Sequence, residues 1–108
     1  MDALYQLVAD TKALIESIPP DSIVSRTFHK DEHLRAIVFG FDRGQELSEH
    51  TSAYAAIIQI ISGEASVTAG GDRHELQAGS WLYMTPKLKH SVVAKTPLVM
   101  LLTMFGGE

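Results

Sequence analysis

The chain of 108 residues contains no cysteine and no long apolar run. The absence of cysteine excludes disulfides, thiolate zinc sites and cysteine nucleophiles, so any bound metal ion would need histidine, carboxylate, hydroxyl or water ligands. No stretch approaches the roughly 20 apolar residues of a membrane-spanning helix. A signal peptide requires positive charge before its apolar region, and here no positive charge precedes the first apolar residues. We therefore expect a cytoplasmic protein that does not contact a membrane.

Basic residues are also few. Nine Lys and Arg against 13 Asp and Glu give a net charge of −4, and no basic cluster is present to bind phosphates. Nucleic acid is therefore not an expected partner. An apolar fraction of 45% is enough for one core, and the length fits a single domain over residues 1–108. The sequence has no Gly-rich phosphate loop, G-x-S-x-G elbow or H-E-x-x-H helix.

The N-terminal segment, residues 1–20, has a helical pattern. Apolar residues recur at three- and four-residue steps from Asp2 to Ile18, and Pro19-Pro20 ends the pattern because proline cannot continue a helix. The spacing predicts a short helix packed on the outside of the domain. A helix that binds a partner is the alternative.

From residue 23 to residue 105 the pattern changes to short strands separated by turns. Residues 23–28 alternate between apolar and polar side chains, and residues 55–61 are almost continuously apolar, as in a strand buried on both faces. Gly70-Gly71 indicates a tight hairpin because both positions tolerate a positive φ. About nine such strands predict an all-β sandwich or barrel over residues 23–105.

Two histidines framed by glycines carry the strongest chemical signal. Gly44 stands six residues before His50, and Gly79 stands eleven residues before His90. Successive side chains of a strand point to opposite faces, so His50 and Ser52 share one face. We expect the two imidazoles to point toward each other in one cavity inside the barrel.

This pattern resembles the two motifs of the cupin family. The first motif reads glycine, five residues, His-x-His, three or four residues, glutamate, six residues, glycine. Gly44, His50 and Gly63 fit it, whereas Ser52 stands at the second histidine and Ala56 at the glutamate. The resemblance implies a double-stranded β-helix, which is the jelly-roll barrel of cupins, and often a homodimer.

The second cupin motif reads glycine, five residues, Pro-x-Gly, two residues, histidine, three residues, asparagine. Gly79 and His90 fit its ends, whereas Thr85, Lys87 and Ala94 replace the proline, the glycine and the asparagine. In the complete motifs the later histidine meets the other ligands from a facing strand, and together they hold iron, zinc, manganese or nickel. This chain keeps only two imidazoles, so water or a substrate carboxylate would complete the coordination.

Three residues are weaker candidates for further metal ligands. Ser52 offers a neutral hydroxyl. Glu46 shares strand parity with His50 if that segment is extended, and it is the nearest carboxylate that could replace the missing one. His74 shares parity with Leu76 and could therefore face inward as an auxiliary ligand.

The same parity predicts seven interior positions on three strands. They are Ala56, Ile58, Ile60, Leu82, Met84, Val92 and Ala94. An apolar pocket with two polar tips is typical of a small-molecule site, and a core packed without a cavity is the alternative. Trp81 and Tyr83 are expected to point outward, either to a homodimer contact or beneath the N-terminal helix.

Three functions follow as hypotheses. The first is a cupin that binds a small molecule beside a two-histidine site for Zn, Fe, Ni or Mn, with oxygenase, isomerase or lyase chemistry if it is catalytic. The second is a ligand-sensing domain without metal, and the third is a structural homodimer with a vestigial cavity. Without metal, the imidazoles could still bind an anion or transfer protons near neutral pH. The fold alone does not choose among these functions.

Overall fold

The computed structural model describes residues 4–106. This part of the chain holds one 3₁₀ turn, Thr11–Leu14, followed by nine strands. The strands are β1 Ile23–Lys30, β2 Leu34–Phe41, β3 Glu46–His50, β4 Ala56–Ser62, β5 Glu64–Ala69, β6 Asp72–Gln77, β7 Trp81–Met84, β8 His90–Ala94 and β9 Leu98–Phe105. Between residues 4 and 106, no helix has the length and apolar character needed to cross a bilayer.

The strands form two antiparallel sheets. The first sheet has five strands in the order β1-β2-β9-β4-β7, and the second has four in the order β3-β8-β5-β6. Ile58 of the first sheet and Val92 of the second belong to one buried cluster, so the sheets pack face to face around a single core. The predicted all-β, double-sheet jelly roll is confirmed.

Strand alternation decides which side chains fill this core. The seven positions predicted to face inward all lie in the interior: Leu82 is partly buried against the core, and the other six are between 1% and 3% exposed. Complete burial of one aliphatic side chain of this size stabilises the fold by about 1.5–3 kcal/mol. The largest buried side chains include Phe41 and Met100, which lie on the interior faces of β2 and β9.

The predicted N-terminal helix is present only as one short 3₁₀ turn. Asp2 and Ala3, at the start of the pattern, lie outside the described residues, and from residue 4 onward only Thr11–Leu14 is helical, as a single 3₁₀ turn. Asp10 caps this turn by accepting a hydrogen bond from the Lys12 amide at 3.1 Å. Short helices are marginal in water unless packing supports them, and here Ile15 and Ile18 pack on a sheet whereas Leu4 and Leu7 stay exposed, so no longer helix forms.

The N-terminal segment instead lies across the outer face of the first sheet. A side chain at Gly40 would come within 2.9 Å of both Ile15 and Ile18, so the segment approaches the sheet closely where β2 has no side chain. Val38, on the same outer face, is fully buried. Farther along, the Gln6 side-chain amide donates to the Phe28 carbonyl at 2.7 Å. Gln6, Ile15 and Ile18 therefore hold the N-terminal segment against this sheet, whereas Leu4, Tyr5 and Leu7 remain exposed.

The segment does not cover the edge strand β7. Trp81 is 60% exposed and Tyr83 is 49% exposed. Both side chains therefore point outward, as expected. Within residues 4–106 the N-terminal segment does not cover them, so of the two predicted roles of this face only the homodimer contact is left.

Candidate functional site

His50 and His90 lie side by side at one end of the second sheet. They are direct cross-strand partners on β3 and β8, and their ring centroids are 4.2 Å apart with planes inclined by 59°. His90 is 8% exposed, whereas His50 is exposed at the rim. The two histidines come from neighbouring strands of one sheet, because β3 and β8 are adjacent. The expected proximity of the two rings is observed.

A β-bulge in β3 decides which side chains accompany His50. Leu47 pairs with Val92, and His50 pairs with His90. Between these two pairs β3 has one residue more than β8, which is the definition of a bulge. The extra residue reverses the alternation between Leu47 and His50. Glu46 consequently pairs with Val93 and is exposed, away from the two imidazoles. Simple alternation, which placed Glu46 beside His50, fails at the bulge.

The histidines open into a cavity of about 260 Å³ between the two sheets. Its wall combines the two imidazoles, hydroxyl side chains and apolar side chains, and contains no Asp or Glu among the described residues. The lining residues are His50, Thr51, Ser52, Tyr54, Ala56, Met84, Thr85, Leu88, His90, Leu102 and Met104. This combination of apolar walls with a few polar groups is typical of a small-molecule site.

A backbone carbonyl holds each imidazole by the same ring nitrogen, Nδ1. Nδ1 of His50 is 2.7 Å from the Ser48 carbonyl oxygen, and Nδ1 of His90 is 2.9 Å from the Leu88 carbonyl oxygen. A carbonyl only accepts, so both Nδ1 atoms donate, and in the neutral rings Nε2 carries the lone pair. Neither Nε2 has a hydrogen-bond partner within residues 4–106. Histidines that bind metals are usually oriented in this way, by a hydrogen bond from the other ring nitrogen.

The predicted pocket residues divide into two groups. Ala56 and Met84 line the cavity. The remaining five are interior residues that do not line it, because deeper in the barrel the side chains of the two sheets interdigitate and fill the space. These are Ile58, Ile60, Leu82, Val92 and Ala94.

The weaker candidate ligands are also separated. Ser52 lines the cavity, and its hydroxyl oxygen accepts a hydrogen bond from the Tyr54 amide at 3.1 Å. His74 is exposed on β6, which is separated from β8 by β5, and it is not part of the cavity wall. Strand alternation correctly predicted that His74 lies on the inner face of β6, since it pairs with the buried Val67. Alternation does not show the order of strands in the sheet, and that order places β6 two strands away from β8.

Several lining residues were missed by the sequence analysis. Leu102 and Met104 enter the cavity because they pair with Ile58 and Ala56 across β4 and β9. Their alternation was readable from the sequence, but their register against β4 was not. Tyr54 belongs to an irregular loop, where no periodicity gives a direction.

Lys87 occupies the second-motif glycine position with a backbone that suits glycine. Its φ is +69°, in the left-handed region that side chains disfavour. Its amide donates to the Ser52 carbonyl at 2.7 Å. This bond joins the loop before His90 to the loop after His50, so the strained residue helps to close one side of the cavity.

The donor set can be compared with the needs of a metal ion. Two Nε2 lone pairs fit a two-nitrogen site with open positions. Within residues 4–106, however, no group of three or more His, Cys, Asp or Glu side chains could hold an ion. Catalytic zinc usually has three protein ligands, and non-haem iron in oxygenases usually has two histidines and a carboxylate. Any ion here would need water or ligand atoms to complete its coordination.

The carboxyl groups with strongly perturbed pKa values lie outside the cavity. The His29 side chain and the backbone amides of His33 and Leu34 hold the pKa of Asp31 well below its usual range. Hydrogen bonds from Lys95, Ser66 and Arg73 lower the pKa of Glu75 to about 2. Both carboxylates belong to structural hydrogen-bond networks on the surface and do not reach the two imidazoles.

The family of the chain follows from comparison with known proteins. The family model described as the cupin domain matches residues 37–104, which is more than half of the 108 residues, and the chain therefore belongs to the cupin family. Both motif histidines lie within the matched region. No curated protein matches the chain.

Solved structures of bacterial proteins share the architecture. The conserved protein SPY1581 of unknown function from Streptococcus pyogenes is 28% identical, with a TM-score of 0.84 over 98% of this chain and 92% of that chain. KdgF from Halomonas sp. is 22% identical, with a TM-score of 0.74 over 85% of each chain. A salicylate 1,2-dioxygenase from Pseudoaminobacter salicylatoxidans is 15% identical, with a TM-score of 0.73 over 82% of this chain and 26% of that chain. The last two likenesses show the fold alone.

Proposed function

We propose that this cupin binds a small molecule in the cavity between its sheets, with His50 and His90 holding a divalent transition metal ion, Zn, Fe, Ni or Mn, at the polar end. The observation that carries the proposal is the pair of adjacent imidazoles with both Nδ1 atoms engaged by backbone carbonyls. That arrangement leaves two Nε2 lone pairs without a partner in the described chain, next to an apolar cavity of about 260 Å³.

The surrounding residues have complementary roles. The carbonyls of Ser48 and Leu88 hold the rings, so little ordering is needed when a ligand binds. The Thr85 hydroxyl can form a hydrogen bond with a polar ligand, and Ala56 leaves space where a complete motif has glutamate. A metal ion bound at the pair would supply Lewis-acid polarisation of a ligand oxygen. If the site is catalytic, oxygenase, isomerase or lyase chemistry fits such a centre, as the dioxygenase among the structural relatives illustrates.

The donor set also favours a second candidate, a ligand-binding cupin without catalysis. The cavity wall of the described chain has no carboxylate to act as a third metal ligand or as a general base. In this alternative the imidazoles and hydroxyls bind the polar groups of a ligand directly, and no bound metal is required.

Metal titration of matched variants tests the primary proposal. Protein purified without a histidine tag and treated with chelator is titrated with Ni²⁺ and Zn²⁺ by calorimetry. We expect one ion per chain, with affinity reduced about tenfold or more in His50→Ala and His90→Ala, since each removes one of two protein ligands. His74→Ala is the control, because His74 is exposed outside the cavity. Equal affinity in wild type and His50→Ala would contradict the metal proposal, whereas no binding to wild type would favour the metal-free alternative.

We also propose that the partner of this chain is a second copy of itself, in the cytoplasm, bound through the outer face of β7. The support is the exposure of Trp81 and Tyr83 side by side on an edge strand. Aromatic residues of these types are enriched at protein interfaces.

A further inference from the structure

A bulge in β1 brings His29 to the outer face of the first sheet. Thr27 pairs with Ile37, and His29 pairs with Ala36. Between these pairs β1 has one residue more than β2, and the extra residue reverses the alternation of side chains. Ala36 and Val38 share the outer face of β2. The His29 ring therefore lies on the side of the sheet along which the N-terminal segment runs.

Both ring nitrogens of His29 are engaged. Nδ1 is 2.6 Å from Oε1 of Gln6, in the N-terminal segment, and Nε2 is 2.7 Å from Oδ2 of Asp31, in the turn after β1. The Gln6 amide is oriented by Phe28, because its NH₂ group donates to the Phe28 carbonyl at 2.7 Å and leaves its oxygen for His29. The Gln6–His29–Asp31 contact therefore ties the N-terminal segment to β1.

Asp31 is a fixed and ionised acceptor. Its second carboxylate oxygen, Oδ1, accepts from the His33 amide at 2.7 Å and from the Leu34 amide at 3.0 Å. The hydrogen bond from His29, and then these two amides, hold the pKa of Asp31 well below its usual range. A carboxylate oxygen and an amide oxygen only accept hydrogen bonds, so both ring nitrogens of His29 donate. The ring in this arrangement is an imidazolium.

The remaining surroundings of the ring carry no competing charge. An open cavity of about 490 Å³ lies beside it, under the N-terminal segment. The described residues that line this cavity come from that segment, β1, β2 and β9, and His29 is the one titratable side chain among them. In the turn, the exposed Glu32 and His33 side chains lie 3.6 Å from each other. The charge of the His29 ring is thus balanced by Asp31, while Gln6 accepts its second proton.

We propose that His29 is a pH-sensitive switch, which holds the N-terminal segment on the first sheet while its ring is protonated and releases Gln6 when the ring loses a proton. Histidine is the side chain whose charge changes near neutral pH. A neutral ring has one N–H, and the charged Asp31 retains it on Nε2. Nδ1 then presents a lone pair to the Gln6 oxygen, which is 2.6 Å away.

Gln6 has no second arrangement that keeps both of its bonds. Reversal of its amide would restore a bond to the neutral ring, but it would turn the amide oxygen toward the Phe28 carbonyl. The segment is therefore attached more weakly as the pH rises, and its release opens the cavity under it to water. This switch lies on the outer face of the sheet, and it does not depend on the cavity that contains His50 and His90.

Nuclear magnetic resonance of the full chain between about pH 5 and pH 9 tests the switch. The ring nitrogen signals report the protonation of His29, and amide relaxation reports the order of residues 6–8. We expect the order parameters of residues 6–8 to fall from about 0.85 to about 0.6 or less, with the same midpoint as the His29 ring. His33→Ala is the matched control, because the His33 side chain is 78% exposed, and its profile should equal that of wild type.

Two variants distinguish a switch from a merely structural contact. In Asp31→Asn the side-chain oxygen still accepts from the turn amides, while the NH₂ group donates to a neutral Nε2, so Nδ1 keeps a proton for Gln6. We expect residues 6–8 of this variant to stay ordered over the whole pH range. In Gln6→Ala they should be mobile at every pH. This second variant changes one surface side chain, and it keeps the test available if Asp31→Asn does not fold.

The pH profiles decide the matter in either direction. Loss of order with the midpoint of the His29 ring in wild type, and in neither Gln6→Ala nor Asp31→Asn, supports the switch. Constant order of residues 6–8 while the ring titrates overturns it, as does a ring that keeps one protonation state throughout. A wild-type profile in Gln6→Ala or in Asp31→Asn also overturns it. No variant here alters His50 or His90, so the metal titration stays an independent test of the proposed function.

Discussion

Replacement of Lys87 by glycine is expected to stabilise the protein. Lys87 is exposed, and no hydrogen bond or ion pair of its side chain occurs within residues 4–106, so the substitution removes no contact of that kind. Its φ of +69° is the conformation that an L-residue side chain disfavours. The amide that donates to the Ser52 carbonyl at 2.7 Å is retained in glycine. The variant therefore isolates the cost of placing a side chain at the glycine position of the second motif.

The magnitude follows from two opposing terms. The left-handed conformation costs a residue with a Cβ about 1–2 kcal/mol. Glycine has greater freedom in the unfolded chain, which costs about 0.4–1 kcal/mol on folding. The midpoints of these two ranges differ by about 0.8 kcal/mol, so we take the gain as about 0.5–1 kcal/mol. For a domain near this size, 1 kcal/mol corresponds to about 4–8 °C in Tm, so we expect Lys87→Gly to melt roughly 2–8 °C above wild type.

Differential scanning calorimetry with two controls measures this gain. Lys87→Ala keeps the Cβ and should leave Tm nearly unchanged. Lys89→Gly adds glycine at an exposed position without positive φ and should lower stability by about 0.5–1 kcal/mol. If Lys87→Gly lowers Tm as much as Lys89→Gly does, the attribution of strain to Lys87 is refuted.

Two further predictions concern the surface. Hydrogen bonds from Lys95, and to a smaller extent from Ser66 and Arg73, lower the pKa of Glu75 in the folded protein from 4.5 to about 2. The ionised Glu75 therefore stabilises the fold fully above pH 4.5, and this stabilisation is lost as the pH falls toward 2. The Tm difference between wild type and Glu75→Gln should shrink over that range, and a constant difference would contradict this assignment. For the proposed dimer, Trp81→Arg should give monomers in analytical ultracentrifugation with little change in Tm. The control Tyr5→Arg, at an 81% exposed position, should remain dimeric. A monomeric wild type would refute the dimer.

Sequence periodicity predicted the sheets well because burial on one face requires alternation. The interior direction of Ile58, Ile60 and Val92 follows from this rule alone. The hairpin at Gly70-Gly71 was predicted for a similar local reason, and both residues have positive φ. These features depend on a few neighbouring residues, so a single sequence contains enough information to predict them.

The features that failed depend on contacts distant in sequence. The bulge between Leu47 and His50 has no glycine or proline to mark it, and it moved Glu46 to the opposite side of the strand from the position that alternation gave. The approach of Met104 to the histidine site requires the register of β9 against β4, which pairing between segments distant in sequence determines. At the N-terminus, three- and four-residue spacing predicted a helix, although Ile15 and Ile18 pack on the sheet outside any helix.

The contact at Gly40 has a practical consequence for how the domain is delimited. A truncated protein that starts at β1 would expose the outer surface around Val38 to water and should aggregate more readily than the full chain. In a homologue with a bulky residue at the position of Gly40, the N-terminal segment could not pack against the sheet in the same way. The residue at that position in a related sequence therefore predicts whether its N-terminal segment can pack on the outer face of the first sheet.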